Sequence, residues 1–276
     1  MKLDRSYTEE HEVQTDGSVT FACSGDCDEW PWLALPPQHP LVIQTQNFWT
    51  SVGATQALVE RDDGKWSALT WTDWTLGDHG AVRAVRGHFS RTGNSDELGF
   101  KTELFDHADR LIVKIGGKGV VFRTRNFEKW REGSKTTAKE QAITPTDFEY
   151  AKRELLGLSE QEPPLIAPLT ETNGMMATTA LITKANGLMP GHPYFSGSGD
   201  HVNAPHLAEL GRQTVSLLCE GARVQIVQGE MDMHRYIELG TPIAIVAEQA
   251  GDNEVTLSVS QLDRSCAKIT MKWVSA

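Results

Sequence analysis

Along the second half of the chain, hydrophobic and polar positions follow two alternating rhythms. Leu207, Leu210, Thr214, Leu217 and Leu218 recur at intervals of three and four, which predicts a helix with one apolar face. Glu209, Gln213 and Ser216 share another face of that helix. Asn203 stands at the N-cap position and Pro205 falls in the first turn, where its missing N–H costs nothing. Beyond the helix the period drops to two. Strands are expected over 223–227, 243–248, 255–262 and 268–274; in the last, Ile269, Met271 and Trp273 alternate with Lys268, Thr270 and Lys272, as in a sheet with one buried face. Before the helix, a strand-like run over 175–183 leads into a stretch rich in Gly, Pro and Asn that ends near Pro205.

The first half repeats this order more loosely. A strand over 18–22 is followed by a Pro-rich loop containing His39-Pro40, a helix from about residue 46 to 60, and strands near 66–73, 81–90, 98–104, 110–115 and 119–127. His192-Pro193 precedes the second helix as His39-Pro40 precedes the first. Between the halves, residues 136–164 read as a connector with a short helix around 147–156 and an end at Pro163-Pro164. The expected division is therefore 1–135, a linker over 136–164, and 165–276, each half an α+β unit with one helix and a run of antiparallel strands.

Composition narrows the function. With 276 residues and 39% hydrophobic content, two units of this size can each bury a core. The N-terminal residues carry no apolar signal run, and no run of about 18 apolar residues occurs, so the expectation is a cytoplasmic protein without a membrane span. A formal net charge of −11 argues against nucleic acid as partner, since that binding rests on clustered cations. One basic span runs against the overall charge: Arg123, Arg125, Lys129, Arg131, Lys135 and Lys139 could face an acyl carrier protein or coenzyme A phosphates, or simply form a solvated strand end. Cys23, Cys27, Cys219 and Cys266 are too few for a disulfide scaffold. The Cys23/Cys27 spacing lacks a second Cys or His pair, so it reads as structural and no metal or cofactor is expected.

The chemistry concentrates in Asp200-His201-Val202-Asn203-Ala204-Pro205-His206-Leu207-Ala208-Glu209-Leu210-Gly211-Arg212-Gln213. Glu209 and Gln213 lie one turn apart, away from the leucines, and an acid and an amide set against an apolar wall are costly unless partnered. Ala208 and Gly211 would allow a ligand to approach closely. This run resembles the helix motif of the A-factor biosynthesis hotdog family, in which Asp-His-Val precedes a helix bearing a Glu and an Arg-Gln pair. Residues 233–242, MHRYIELGTP, resemble that family's strand motif. The helix is also similar to that of the hydroxyacyl-thioester dehydratases, whose Glu stands four residues before a Gln. Close resemblance covers residues 190–245. Two departures stand out: Asn203-Ala204 replaces the Pro-Gly of the relatives, and in the first half Val52 takes the position of Glu209 while Gln56 matches Gln213.

The resemblance implies a tandem (double) hotdog, each unit a curved antiparallel sheet wrapped around a central helix, working on acyl groups carried by an acyl carrier protein or coenzyme A in secondary-metabolite or fatty-acid-derived biosynthesis. Acyl transfer from the thioester to a hydroxyl acceptor is the leading expectation. Dehydration of a 3-hydroxyacyl thioester, a non-catalytic acyl-binding module and, more weakly, thioester hydrolysis are alternatives. Glu209 is the expected acid or base, with His201 or His192 as a second proton-transfer group. Asp200, Asn203, Ala204, Arg212 and Gln213 are expected to bind or orient the substrate, the start of the helix polarising the thioester carbonyl. His206 reads as a packed or solvent-facing residue and Glu238 as a strand-edge partner of Arg235. A chain that supplies both units of a hotdog pair is expected to be a monomer or homodimer.

Overall fold

The computed structural model describes residues 6–58, 66–93, 98–122, 127–160, 162–172, 174–184, 186 and 200–276. The chain divides into two compact units, Met1–Arg125 and Asn126–Ala276.

In the first unit, β1 (Thr8–Val13) and β2 (Val19–Cys23) precede helix α1 (Pro40–Ala57), and β3 (Trp66–Leu76), β4 (Arg86–Thr92), β5 (Leu98–Phe105) and β6 (Leu111–Phe122) follow. The strands pair antiparallel in the order β1-β2-β4-β5-β6-β3. Helix α1 begins six residues earlier than its pattern suggests, directly after His39, whose Nδ1 accepts from the Leu41 amide at 3.3 Å. The strands expected near 110–115 and 119–127 fall in a single strand, β6, over Leu111–Phe122, and residues 123–126 lie outside the described residues. Trp49 of α1 packs with Tyr7, Trp30 and Trp32 in a buried aromatic cluster, with ring centroids of contacting pairs 4.9 to 6.3 Å apart. Gly53 lets α1 approach β1: a Cβ there would lie 2.3 Å from Thr8 Oγ1.

The second unit opens with α2 (Phe127–Glu140), then β7 (Thr170–Thr172), β8 (Met175–Ala180), β9 (His201–Val202), α3 (Ala204–Leu218), β10 (Val224–Met233), β11 (Ile237–Glu238), β12 (Ile243–Gly251), β13 (Glu254–Gln261) and β14 (Arg264–Ser275). Its sheet has the order β7-β8-β12-β13-β14-β10, all antiparallel, and β9 pairs with β11 in a separate short ladder. The strand order is that of the first unit, element for element. Even the irregularities correspond: the first strand after each central helix is bulged near its start, at Leu69/Trp71 in β3 and Ile226/Gln228 in β10. Such bulges bend a strand, which a sheet needs if it is to curl around a helix.

The residues expected as a linker are packed into this second unit. Ala138, Ala151 and Leu156 are buried, and no helix spans 147–156; a 3-10 turn over Pro145–Asp147 and turns at 153–157 take its place. Helix α3 is buried on every side from Ala204 to Leu217. Its leucine face meets the sheet, where Ile226, Met231, Ile269 and Met271 are buried. Its polar face is covered by the chain over 156–165, which hydrogen-bonds to it.

Candidate active site

Helix α3 starts where its sequence says it should. Asn203 is extended, Pro205 lies in the first turn, and the Nδ1 of His206 reaches back to accept from the Asn203 amide at 3.0 Å. His206 is 2% exposed and serves the helix end. Ala204 is the first helical residue.

One turn further on, Glu209 is 2% exposed and meets a set of hydrogen-bond donors. Arg212 donates from Nε to Oε2 at 2.9 Å and from Nη2 to Oε1 at 2.7 Å, and Gln213 donates from Nε2 to Oε1 at 2.8 Å. The covering segment completes the cluster. Arg212 Nη1 donates to the carbonyls of Leu156 and Gly157 at 3.2 and 3.4 Å, while Nη2 lies 3.4 Å from Glu162 Oε1. Gln213 accepts from the Leu165 amide at 2.9 Å and donates to the Pro163 carbonyl at 3.1 Å. Burial opposes charge on Arg212, but Glu209 first and then Glu162 outweigh it and hold the guanidinium above its ordinary value. Glu162 is itself 6% exposed and anchored by the amide and hydroxyl of Ser159 at 2.9 and 2.7 Å.

Glu162 is a member the sequence reading misses. Its one signal is position, two residues before Pro164 in a stretch whose carbonyls, unlike its proline nitrogens, can bond. Another expectation is corrected: Gly211 leaves no room for a ligand, because a Cβ there would lie 2.4 Å from Met271 Cε, so the glycine serves helix-to-sheet packing. Gln56, matched to Gln213 by sequence, is exposed where Gln213 is fully buried. The first unit instead buries Gln44, Gln46, Asn47 and Thr50 on α1, an uncharged polar stripe. Burial of the Cys23 thiol pushes it up to about 12.

Asp200 and His201 form a second cluster. His201 Nδ1 lies 2.6 Å from Asp200 Oδ1, and Asp200 also accepts from Lys135 Nζ at 2.8 Å and Arg131 Nη1 at 3.1 and 3.2 Å. The His201 hydrogen bond first, then Lys135 and Arg131, hold the Asp200 carboxyl far below the usual carboxylate range against the opposing effect of partial burial. Arg131, a member of the basic span that the sequence leaves either facing an acidic partner or solvated, is 2% exposed on α2. It donates from Nε and Nη2 to Glu238 at 3.2 and 2.7 Å and lies 4.5 Å over the Tyr236 ring. Glu238 is therefore the partner of Arg131, not of Arg235. Because β9 and β11 pair His201 with Glu238, the cluster is tied into the backbone beside the start of α3. His192, Arg123 and Arg125 lie outside the described residues.

No protein-family model matches the sequence, and a search of curated proteins finds no match. Among the described residues no helix is long and apolar enough to cross a membrane. Solved structures are similar throughout the chain. The 12:0-ACP thioesterase from Umbellularia californica has a TM-score of 0.54 at 10% identity, over 94% of this chain and 97% of that one. An acyl-CoA thioesterase II from Mycobacterium marinum has a TM-score of 0.52 at 11% identity, over 97% and 96%. The dehydratase domain from a module of curacin polyketide synthase has a TM-score of 0.51 at 10% identity, over 98% and 97%. At these identities the likeness shows the fold, and with the repeated strand order it identifies the chain as a tandem hotdog.

Proposed function

We propose that this tandem hotdog processes an acyl group held as a thioester on an acyl carrier protein or coenzyme A, with Glu209 as general base, and that it transfers the acyl group to a hydroxyl acceptor. The observation that carries the reading is the donor shell of Glu209. Arg212 and Gln213 both give hydrogen bonds to its carboxylate, so its oxygens are held as acceptors. Burial and these partners hold the carboxylate in one orientation, as a positioned general base requires.

In the proposed reaction the acceptor hydroxyl gives its proton to Glu209 as its oxygen attacks the thioester carbonyl. The carbonyl oxygen gains negative charge at the start of α3, where the Ala204 amide and the positive end of the helix dipole stabilise it, and Ala204 is small enough for close approach. The C–S bond then breaks, and the departing thiolate receives the proton from Glu209. Water in place of the alcohol would give hydrolysis by the same steps, the reaction named for two of the similar structures. Support also comes from the resemblance of residues 190–245 to the A-factor biosynthesis family.

Dehydration of a 3-hydroxyacyl thioester is the second reading, favoured by the Asp200–His201 pair, which offers a proton carrier distinct from Glu209. Mass spectrometry separates the outcomes. The protein is incubated with acyl, 3-ketoacyl and 3-hydroxyacyl thioesters, with and without a primary alcohol. Transfer yields an ester only with alcohol, hydrolysis a free acid in its absence, and dehydration an enoyl thioester from the hydroxyacyl substrate alone. An enoyl product without ester would replace transfer by the second reading, and no product from any thioester would overturn both.

A further inference from the structure

A cavity of about 250 Å³ in the second unit lies between α2, β11 and the hairpin that joins β13 to β14. Arg131, Arg235 and Arg264 line it, against one carboxylate, Glu238. Arg131 is committed: Glu238 and Asp200 take its donors, and Lys135 supplies a second cation to Asp200. The other two guanidiniums meet neutral oxygens. Arg235 Nη1 donates to the Ser265 carbonyl at 3.2 Å, and Arg264 Nη1 reaches Ser134 Oγ only at 3.5 Å. Both residues are exposed, and among the described residues neither has a carboxylate in an ion pair. With Arg131 and Lys135 balanced by Glu238 and Asp200, the cavity mouth keeps two uncompensated positive charges on planar forks.

The backbone fixes those two arginines. The β13–β14 turn has only Leu262 and Asp263 between the paired residues Gln261 and Arg264, and both turn residues have positive φ, 54° and 56°. A two-residue turn of this hand favours Asn-Gly, and leucine is strained in it. Leu262 nevertheless lines the cavity, so the turn keeps an apolar side chain there at a conformational cost. Across the opening, the amide of Arg235 is tied to the Cys266 carbonyl at 3.1 Å, which sets the two arginines on one rim. Tyr236, held edge-on by His201 at 4.8 Å and capped by the Arg131 guanidinium, supplies a rigid aromatic wall.

We infer that this cavity is an anion site in which Arg235 and Arg264 grip the phosphate groups of the thioester carrier, with Leu262 and Tyr236 against the neighbouring apolar part. Guanidinium forks match phosphate oxygens two at a time, and two forks suit a diphosphate or a phosphate monoester better than a carboxylate. The identity of the phosphate source rests on the thioester reading above; the anion site itself does not. The phosphate comes either from coenzyme A or from phosphopantetheine.

Calorimetry on the full chain tests it with three probes: inorganic pyrophosphate, coenzyme A and 4′-phosphopantetheine. Wild type should bind pyrophosphate and at least one of the other two, and the Arg235→Gln/Arg264→Gln variant should bind at least tenfold more weakly. Since both side chains are exposed, circular dichroism should show the variant folded. Arg223→Gln, which removes an exposed arginine elsewhere in the unit, should bind as wild type does. Binding of coenzyme A but not phosphopantetheine places the adenosine-side phosphates at the site, and binding of both places there the pantetheine-side phosphate that coenzyme A and a carrier share. Equal affinities in wild type and double variant, equal losses in the Arg223 control, or no pyrophosphate binding overturns the site. The same titrations on Glu209→Gln separate the two proposals: pyrophosphate binding should persist there whether or not thioester turnover depends on Glu209.

Discussion

Arg212 and Glu209 face each other one helical turn apart on α3, joined by two hydrogen bonds of 2.7 and 2.9 Å and buried together beneath the chain over 156–165. A buried pair of this kind adds little net stability, yet losing one partner strands the other. Arg212→Met leaves Glu209 and Glu162 without their shared cation. We expect it to lower the free energy of unfolding by about 3–5 kcal/mol, read from urea denaturation. The double variant Glu209→Leu/Arg212→Met should be more stable than Arg212→Met alone.

The contact of Gly211 with Met271 predicts a coupling of opposite sign. A Cβ at 211 meets Met271 Cε at 2.4 Å and Sδ at 2.8 Å, so Gly211→Ala should destabilise by about 1–3 kcal/mol through overpacking. In a Met271→Ala background the added methyl enters vacated space. There the same substitution should be neutral or stabilising, and a double-mutant cycle from thermal unfolding checks the change of sign.

Asp106 predicts how the first unit responds to acid. Burial raises its carboxyl, but the amides of Val82, Arg110 and Ala108 and the Arg110 side chain outweigh that and hold it well below the ordinary carboxylate range. A depressed folded-state value stabilises the fold above the unfolded value of about 4; that contribution starts to fall below it and is gone only once pH drops through the folded-state value. Asp106→Asn should therefore cost most stability at pH 7 and a smaller, still measurable amount at pH 3. Urea midpoints of both proteins at the two pH values measure the convergence.

Much of this was legible in the order of residues, and the exceptions have physical causes. The spacing of Leu207, Leu210 and Leu217, with Asn203 and Pro205 ahead of them, marks α3 because burial and capping both act locally. The pairing of Glu209 with Gln213 follows from the helical repeat. Strand β1 carries no readable pattern because Thr8 alone is buried in it and its other side chains are mostly polar and exposed. Helix α2 was hidden by its composition: its buried positions include Arg131, and no hydropathy pattern marks an arginine as interior. Glu162 and the strand partner of His201 depend on which distant segments meet, which periodicity does not encode. Gly211 is a small residue whose vacant volume can be claimed by a ligand or by a neighbour, and only the position of Met271 decides between them.

The central claim is that the carboxylate of Glu209 moves a proton during thioester turnover. Its direct test is the single-turnover rate of Glu209→Gln on a carrier-bound acyl thioester, measured on protein whose circular dichroism and urea midpoint show it folded. Glutamine retains the shape and an acceptor oxygen for Arg212 but cannot take the proton, so the rate should fall by about 100-fold or more. A folded Glu209→Gln protein that turns the thioester over at the wild-type rate would contradict the assignment.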